Sequence, residues 1–192
     1  ILGIGDDCAV YPVKSGMKEV ISTDALVEDI HFKLSTTTPE ALGRKALSVS
    51  LSDIAAMGGT PKRVLVTLGL PERVSLLFLD KLYSGFNEIC NQFKVELAGG
   101  DTVSSPQCFF INVAVIGEAK RVFTRKGAKP GDLIFVTGTL GDSSLGLKLI
   151  GKKKKGGKDN KFLIERHLNP TPRVKEAVIL ARSKIDIPSM ID

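Results

Sequence analysis

The sequence PEALGRKALSVSLSDIAAM (residues 39–57) indicates how the chain folds, because its apolar side chains recur with helical spacing on nearly every side. On a helical wheel, one stripe contains Leu42, Ala46, Val49, Asp53 and Ala56. The opposite side is covered by Leu47, Leu51 and Ile54. A helix that is apolar nearly all round is typically buried. The segment therefore predicts a central helix that carries a carboxylate, Asp53, within its apolar surface.

The carboxylate of Asp53 needs a partner, because an ionised group buried without one is costly. The pattern leaves two kinds of partner open: a lysine or backbone amide, or a bound metal ion. Further acids stand at the ends of apolar runs, where loops gather side chains into sites: Asp7, Asp24, Asp101 and Asp192. Ser22 and Thr23 precede Asp24, and the sequence has no cluster of Cys and His. This set favours a hard, oxygen-binding cation such as Mg²⁺.

Apolar runs alternate with helical periods along the rest of the chain, which indicates an α/β or α+β fold. An amphipathic helix is predicted over residues 75–93, and a last helix over 171–182 with Thr171 as N-cap and Pro172 at its first position. The strand at 108–119 is apolar on both faces, as in a covered central strand. Strands are predicted over residues 9–13, 19–27, 63–70, 95–102 and 108–119.

The sequence GAKPGD (residues 127–132) interrupts this pattern, and we expect a domain boundary beside it. The first domain is predicted to span residues 1–122 and the second residues 123–192. The second begins with the apolar run LIFVTG (133–138) and continues into helices. The chain stops at SMID, within what the sequence presents as a strand, so the second domain is expected to be incomplete.

The composition excludes several classes of protein. A chain of 192 residues, 43% of them hydrophobic, can bury a core, and it has no apolar run of the ~18 residues that a membrane helix needs. Most of the net charge of +6 comes from five lysines in KKKKGGK (152–158). We interpret this run as a solvated loop without nucleic acid as a partner, because no aromatic residues interleave it. Three cysteines without a CxxC spacing fit reduced thiols in the cytoplasm.

Seven motifs follow one another along nearly the whole chain: GIGDDCA, STDALVEDIHF, KALSVSLSDIAAMGGTP, AGGDT, GAKPGD, VTGTLGDSSLGL and RHLNPTPR. In this order they resemble the thiamine-monophosphate kinases, a family of the aminoimidazole-ribonucleotide-synthetase-like superfamily. The segment STDALVEDIHF points to this family rather than to its relatives. The resemblance implies an α/β (α+β) fold, in which an N-terminal sheet-and-helix domain forms a homodimer and precedes an incomplete C-terminal α/β domain.

The resemblance also implies an activity and a set of site residues. The γ-phosphoryl group of ATP would pass directly, in line, to thiamine phosphate and give thiamine diphosphate, with several Mg²⁺ ions bound near the dimer interface. Nucleotide contacts fall on Gly100, Asp101 and Arg125, and a substrate contact falls on His31. The metal ligands of the family fall on Asp7, Ser22, Thr23, Asp24, Asp53, Asp101 and Asp192. Asp7 would face the ions, whereas Asp6 would shape its turn. The sequence indicates no covalent nucleophile.

Three alternatives stay open at this point. His31, between Ile30 and Phe32, is compatible with a packed core position. Another ATP-dependent enzyme of the superfamily, such as an amidine-forming ligase of purine synthesis, would share the acids but not STDALVEDIHF. A protein without catalytic activity that binds nucleic acid through the lysine run would show steeply salt-dependent binding to any DNA.

Overall fold

The computed structural model describes residues 6–13, 16–152 and 156–192. Its frame is a five-stranded sheet in the order β1-β2-β5-β3-β4, in which β3 and β4 are parallel and the other neighbours antiparallel. The strands are β1 (Ala9–Pro12), β2 (Lys18–Val27), β3 (Thr60–Leu70), β4 (Glu96–Ser104) and β5 (Phe110–Ala119). The helices are α1 (Pro39–Ala56), α2 (Leu76–Phe93), α3 (Asp142–Gly151), α4 (Lys158–Leu168) and α5 (Val174–Arg182).

The predicted central helix is confirmed as α1, which is buried along most of its length between the sheet and α2. Thr38 caps it, with its hydroxyl accepting the Ala41 amide at 3.2 Å. Two glycines let α1 and α2 touch through their backbones. A Cβ atom at Gly43 would lie 2.2 Å from the carbonyl oxygen of Leu82, and a Cβ atom at Gly85 would lie 2.1 Å from a carbonyl oxygen of α1. The core therefore depends on this close crossing.

The two faces of the sheet differ. Strand β5 is central, as predicted, and every second residue is buried beneath the helices: Ile111, Val113 and Val115. The residues between them are only partly buried on the other face: Asn112, Ala114 and Ile116. The prediction that this strand is covered on both faces was wrong for the single chain, because α1 and α2 lie on one side of the sheet. We call the other side the open face.

The predicted start of the last helix was wrong. Helix α5 begins at Val174, with Arg173 at the N-cap position and no side-chain hydrogen bond there, rather than after Thr171. Pro172 is buried before the helix and lines a small cavity with Arg44 and Ile89. Thr171 and Pro172, which the sequence placed at the start of the helix, therefore pack against the first part of the chain instead.

Two apolar segments do not form strands. Residues 133–138 have no strand, and the side chains of Leu133, Ile134 and Phe135 are 82–93% exposed. A strand needs a neighbour that pairs with its backbone groups, and the described part of the chain supplies none here. The strand at SMID was also wrong, since the Met190 amide donates to the carbonyl of Thr124 at 3.1 Å outside any sheet.

Two predictions from composition can be compared with the described residues only. Within the described ranges, no helix is both long and apolar enough to cross a membrane. Of the lysine run, residues 153–155 lie outside the described residues, so its interpretation as a solvated loop stays a prediction.

Candidate functional site

The carboxylate of Asp53 meets a hydroxyl group from the neighbouring strand. Ser22 lies on β2, on the side of the sheet that carries α1, and its hydroxyl donates a short hydrogen bond to Asp53 Oδ2. In the part of the chain that the structure describes, the Asp53 side chain makes this hydrogen bond and no other. Among the described residues, the partner of this carboxylate is therefore a hydroxyl group rather than the lysine or backbone amide of the alternative.

Burial and neighbouring carboxylates raise the pKa of two acids in this region, Asp53 and Asp24. Burial raises the pKa of Asp53 to about 6, and the charges of Asp24, Asp192 and Asp7 add to the effect, against the hydrogen bond from Ser22. The pKa of Asp24 is raised first by burial and then by the charge of Asp192. Asp53 and Asp24, with the charges of Asp7 and Asp192 near them, form a region of negative potential, and a cation is the group that would relieve it.

Asp7 has one oxygen paired and one oxygen without a partner. Its side chain is almost fully buried, and its Oδ1 accepts hydrogen bonds from the Arg125 guanidinium, with Nε at 3.2 Å. Its Oδ2 is buried without a hydrogen-bond partner among the described residues. The neighbouring Asp6 accepts the backbone amide of Arg125 at 2.9 Å. Both carboxylates of the Asp-Asp pair therefore hold Arg125, a role of Asp6 that the sequence did not indicate.

Asp192 reaches the same region from the end of the chain. Its carboxylate accepts a short hydrogen bond from the hydroxyl of Ser52, which precedes Asp53 on α1. Ser189 supports this approach, since its hydroxyl donates to the carbonyl of Arg125 at 2.7 Å. The structure thus brings together five of the predicted ligands, which we call the acidic centre: Asp7, Ser22, Asp24, Asp53 and Asp192.

Thr23 and Asp101 lie elsewhere. The Thr23 side chain is on the open face, where its hydroxyl lies 2.9 Å from the Oδ1 atom of Asn112. Asp101, beside Gly100, is exposed on the edge strand β4, and its carboxylate accepts the Thr102 amide at 2.8 Å. Two strands separate β4 from β2, which places Asp101 about 14 Å from Asp24 at the usual spacing. The side chains of Asp101 and Asp24 therefore cannot bind one ion within this chain.

His31 is an exposed side chain beside the acidic centre, so its assignment to a packed core was wrong. It belongs to a turn in which Asp29 has a positive φ of 65°. The amide of Val27 donates to His31 Nδ1 at 3.0 Å, which places the proton of the neutral ring on Nε2. The charge of His31 lowers the pKa of Asp24, so the two groups are near each other. His31 thus offers an N–H donor next to the acids.

The donor atoms of the acidic centre fit Mg²⁺ in kind. They are carboxylate and hydroxyl oxygens, which this hard cation prefers, and the unpaired Oδ2 of Asp7 is a buried oxygen that lacks a partner. Among the described residues, however, no three side chains of His, Cys, Asp or Glu converge closely enough to hold a metal ion. The acids share one region but do not form a closed coordination shell, and Arg125 takes the other oxygen of Asp7.

Sequence reasoning missed two polar side chains of α1, one that contacts an acid of the centre and one that contacts the turn of His31. Ser52 holds Asp192, and the Nζ atom of Lys45 donates to the carbonyl of His31 at 3.2 Å. Ser52 and Lys45 are seven residues apart on α1 and therefore share a face, which is turned roughly 80–100° from Asp53. A polar residue at these positions of an otherwise apolar helix was the signal that could have identified them.

Comparisons with known proteins show the family to which the chain is similar. The profile of a family described as AIR synthase related protein, N-terminal domain, matches residues 5–119. The thiamine-monophosphate kinase of Bacillus subtilis is 43% identical over 90% of this chain and 55% of its own length. That of Escherichia coli (strain K12) is 40% identical over 97% of this chain and 58% of its own length. The solved structure of AaThiL complexed with AMPPCP and TMP has a TM-score of 0.87 at 39% identity.

These relatives are longer than this chain. The AaThiL structure matches 93% of this chain, which corresponds to 57% of the AaThiL chain. The chain therefore spans less than two thirds of the length of the relatives it matches. The similarities confirm the predicted sheet-and-helix architecture of the superfamily.

Proposed function

Because the chain belongs to the AIR synthase related family, we propose that it carries out, or forms the larger part of an enzyme that carries out, ATP-dependent phosphorylation of thiamine monophosphate. The product would be thiamine diphosphate. Identities of 40–43% with thiamine-monophosphate kinases over 90–97% of the chain support this substrate. The AaThiL complex with AMPPCP and TMP supports a nucleotide and thiamine monophosphate as the two ligands.

The observation that carries the proposal is the acidic centre with His31 beside it. Phosphoryl transfer between two anions depends mainly on positioning and on neutralising charge. Mg²⁺ held by Asp7, Asp24, Asp53 and Asp192 would supply that neutralisation. His31 would donate its Nε2 hydrogen to the phosphate acceptor, which is already ionised and needs no strong general base.

We also propose that Arg125 changes partners during the reaction cycle. Its guanidinium contacts Asp7 in the structure, and the exposed part of its side chain is accessible to a nucleotide. Gly100 and Asp101, on the exposed edge strand, would contribute further nucleotide contacts. Each of these three residues is assigned through the family motif.

Assembly and location belong to the same proposal. The open face carries partly exposed apolar side chains on three different strands, among them Tyr11, Leu65 and Val103. We propose that this face forms a homodimer, and that residues 1–122 and 123–192 are separate domains. The family profile ends at residue 119, which supports the division. Three free cysteines, two of them buried, support a cytoplasmic location.

The dependence of ADP release on the acceptor tests the proposed function. Purified chain is incubated with ATP and Mg²⁺ and with thiamine monophosphate, thiamine or no acceptor. We expect ADP release and thiamine diphosphate only with thiamine monophosphate. Release that does not depend on the acceptor, or binding of neither ligand by calorimetry, would contradict the proposal. ADP release that requires an amide or formyl acceptor would instead identify an amidine-forming ligase.

A further inference from the structure

A second cavity lies at the junction of α1 with α3 and α4. It has a volume of about 270 Å³. Three basic residues line it, together with the loop before α3: Lys45, Arg166 and His167. Lys45 is eight residues before Asp53 on α1, which places it about 12 Å from the acidic centre along the helix axis. We call this space the junction cavity.

Lys45 brings an uncompensated positive charge to the junction cavity. It takes part in none of the ion pairs of the described residues, although every Asp and Glu of the sequence lies in the described ranges. Its hydrogen bond is to the carbonyl of His31, whereas an ammonium group has three donors. Burial lowers the pKa of Lys45, as expected for a cation without an anionic partner.

The one acid that lines the junction cavity is already neutralised. Asp142 lies 3.6 Å from the Nε atom of Arg166, and it accepts a short hydrogen bond from the hydroxyl of Thr139. His167 contacts the hydroxyl of Ser143 through Nδ1 at 3.0 Å. The other ring nitrogen, Nε2, is the one that could contact a ligand. Burial, and next the charge of Lys45, lower the pKa of His167. The positive charge of Lys45 therefore acts on the imidazole ring of His167.

The size of the junction cavity limits its ligand. A water molecule takes about 30 Å³ of liquid volume, so the cavity has room for several waters or for one tetrahedral anion. Pockets that hold whole drug-sized ligands usually occupy about 300–1,000 Å³. A single anionic group fits better here than a complete nucleotide.

We infer that the junction cavity binds a phosphate group, with Lys45 as its charged partner and Arg166 and His167 as further donors. The first turn of α3 adds partial positive charge at the same place. The group would be inorganic phosphate or the end of a phosphorylated small molecule. This site is separate from the acidic centre and requires no metal ion, and the inference goes beyond the proposed function.

The test measures phosphate binding without metal or nucleotide. Inorganic phosphate is titrated into the chain in the presence of a chelator, at constant ionic strength against chloride, by calorimetry and by thermal unfolding. Lys45→Met removes the charge and keeps the aliphatic stem, Lys45→Arg keeps the charge, and Lys161→Met on the exposed surface of α4 is the matched control. Because phosphate also stabilises proteins by exclusion from their surfaces, the difference between variants is diagnostic.

We expect Lys45→Met to weaken phosphate binding roughly tenfold to a hundredfold, the range for a hydrogen bond to a charged group. Lys45→Arg should restore much of the affinity, and Lys161→Met should behave as the parent. Without phosphate, Lys45→Met should melt at the same or a higher temperature, since it removes a half-buried charge. A lower melting temperature with unchanged phosphate affinity would overturn the inference and make Lys45 a support of the His31 turn.

Competition identifies the source of the phosphate group. Displacement of phosphate by thiamine monophosphate but not by thiamine would assign the cavity to a phosphomonoester, and displacement by ATP would assign it to a nucleotide. Phosphate binding that neither ligand displaces would support a site for inorganic phosphate. Equal, weak effects of phosphate on all variants would overturn the site. A loss of ADP release in Lys45→Met with unchanged phosphate affinity would also overturn the site, but it would leave the proposed function intact.

Discussion

Arg125 donates hydrogen bonds to Oδ1 of Asp7, and Oδ2 of the same carboxylate is buried without a partner among the described residues. The family motif assigns these two residues to different ligands, a nucleotide for Arg125 and a cation for Asp7. In the structure they neutralise each other. Under the proposed function, a cation at Asp7 would weaken this pair and make the guanidinium available to a nucleotide, so the two ligands would bind cooperatively.

This pairing predicts the effect of Arg125→Met. Without ligands, the variant should have a lower urea midpoint than the parent, because the buried carboxylate of Asp7 loses the charged partner that the described residues supply. Added Mg²⁺ should recover more stability in the variant than in the parent, since no cation competes for Asp7. The control is Arg63→Met, which removes a pair between two exposed side chains, Arg63 and Glu96. Equal midpoints for the two variants would contradict the prediction.

The pKa of Asp53 predicts how stability changes with pH when metal is absent. Burial and neighbouring carboxylates raise this pKa to about 6, from 3.8 in the unfolded chain. Between these values the folded chain binds more protons than the unfolded chain, so the free energy of unfolding should fall as pH rises from about 4 to 6. Urea unfolding with a chelator should show a larger loss between pH 5 and 7.5 for the parent than for Asp53→Asn. Parallel pH profiles would show that Asp53 keeps its ordinary pKa.

The hydrogen bonding of His31 allows its ligand contact to be separated from its structural role. The side-chain oxygen of Asn at this position can still accept the hydrogen bond of the Val27 amide, as Nδ1 does. Asn has no donor at the position of Nε2. We expect His31→Asn to raise KM for thiamine monophosphate while the affinity for ATP stays nearly unchanged. His31→Ala should show the same kinetic effect together with reduced stability. A matching loss of ATP affinity in His31→Asn would place the histidine in the nucleotide site instead.

The open face of the sheet predicts the oligomeric state. Sedimentation at micromolar concentration should give twice the mass of the chain, and Leu65→Glu should shift the protein to a monomer because Leu65 lies on that face at 41% exposure. Leu76→Glu is the control, since Leu76 is 81% exposed on α2, on the other side of the sheet. A monomeric parent, or dissociation by both variants, would count against this interface.

Local periodicity was enough to predict much of the frame. The stripe around Asp53 predicted a buried helix with a carboxylate inside it, and both α1 and the amphipathic helix α2 have the expected bounds to within a residue or two. The strands were also expected from short apolar runs. These features depend on neighbours in sequence, so composition and spacing carry the information.

Tertiary contacts account for what the sequence missed. The bond between Asp6 and the Arg125 amide joins residues 119 positions apart, and no local pattern indicates it. The start of α5 is displaced because Pro172 packs against the first part of the chain. Residues 133–138 have the composition of a strand, but no strand of the described ranges pairs with them. The assignments of Thr23, Gly100 and Asp101 as ligands came from the family motif and stay predictions.

The central claim is that the acidic centre holds cations for a bound nucleotide, and Asp53→Asn tests it because the amide keeps the shape of the carboxylate and removes its charge. Without metal, the variant should be as stable as the parent or more stable. In turnover, the loss should be roughly 10²–10³-fold, as when one preorganised electrostatic group is removed.

The most direct measurement is the shift in melting temperature on adding Mg²⁺ with AMPPCP, compared between the parent and Asp53→Asn. The stabilisation follows from ligand binding to the folded state alone, so it reports the affinity of the centre without requiring turnover. We predict a clear rise for the parent and a much smaller one for the variant, and no such difference with AMPPCP and a chelator. Equal stabilisation of both proteins by Mg²⁺ and AMPPCP would contradict the account, because Asp53 would then hold no cation.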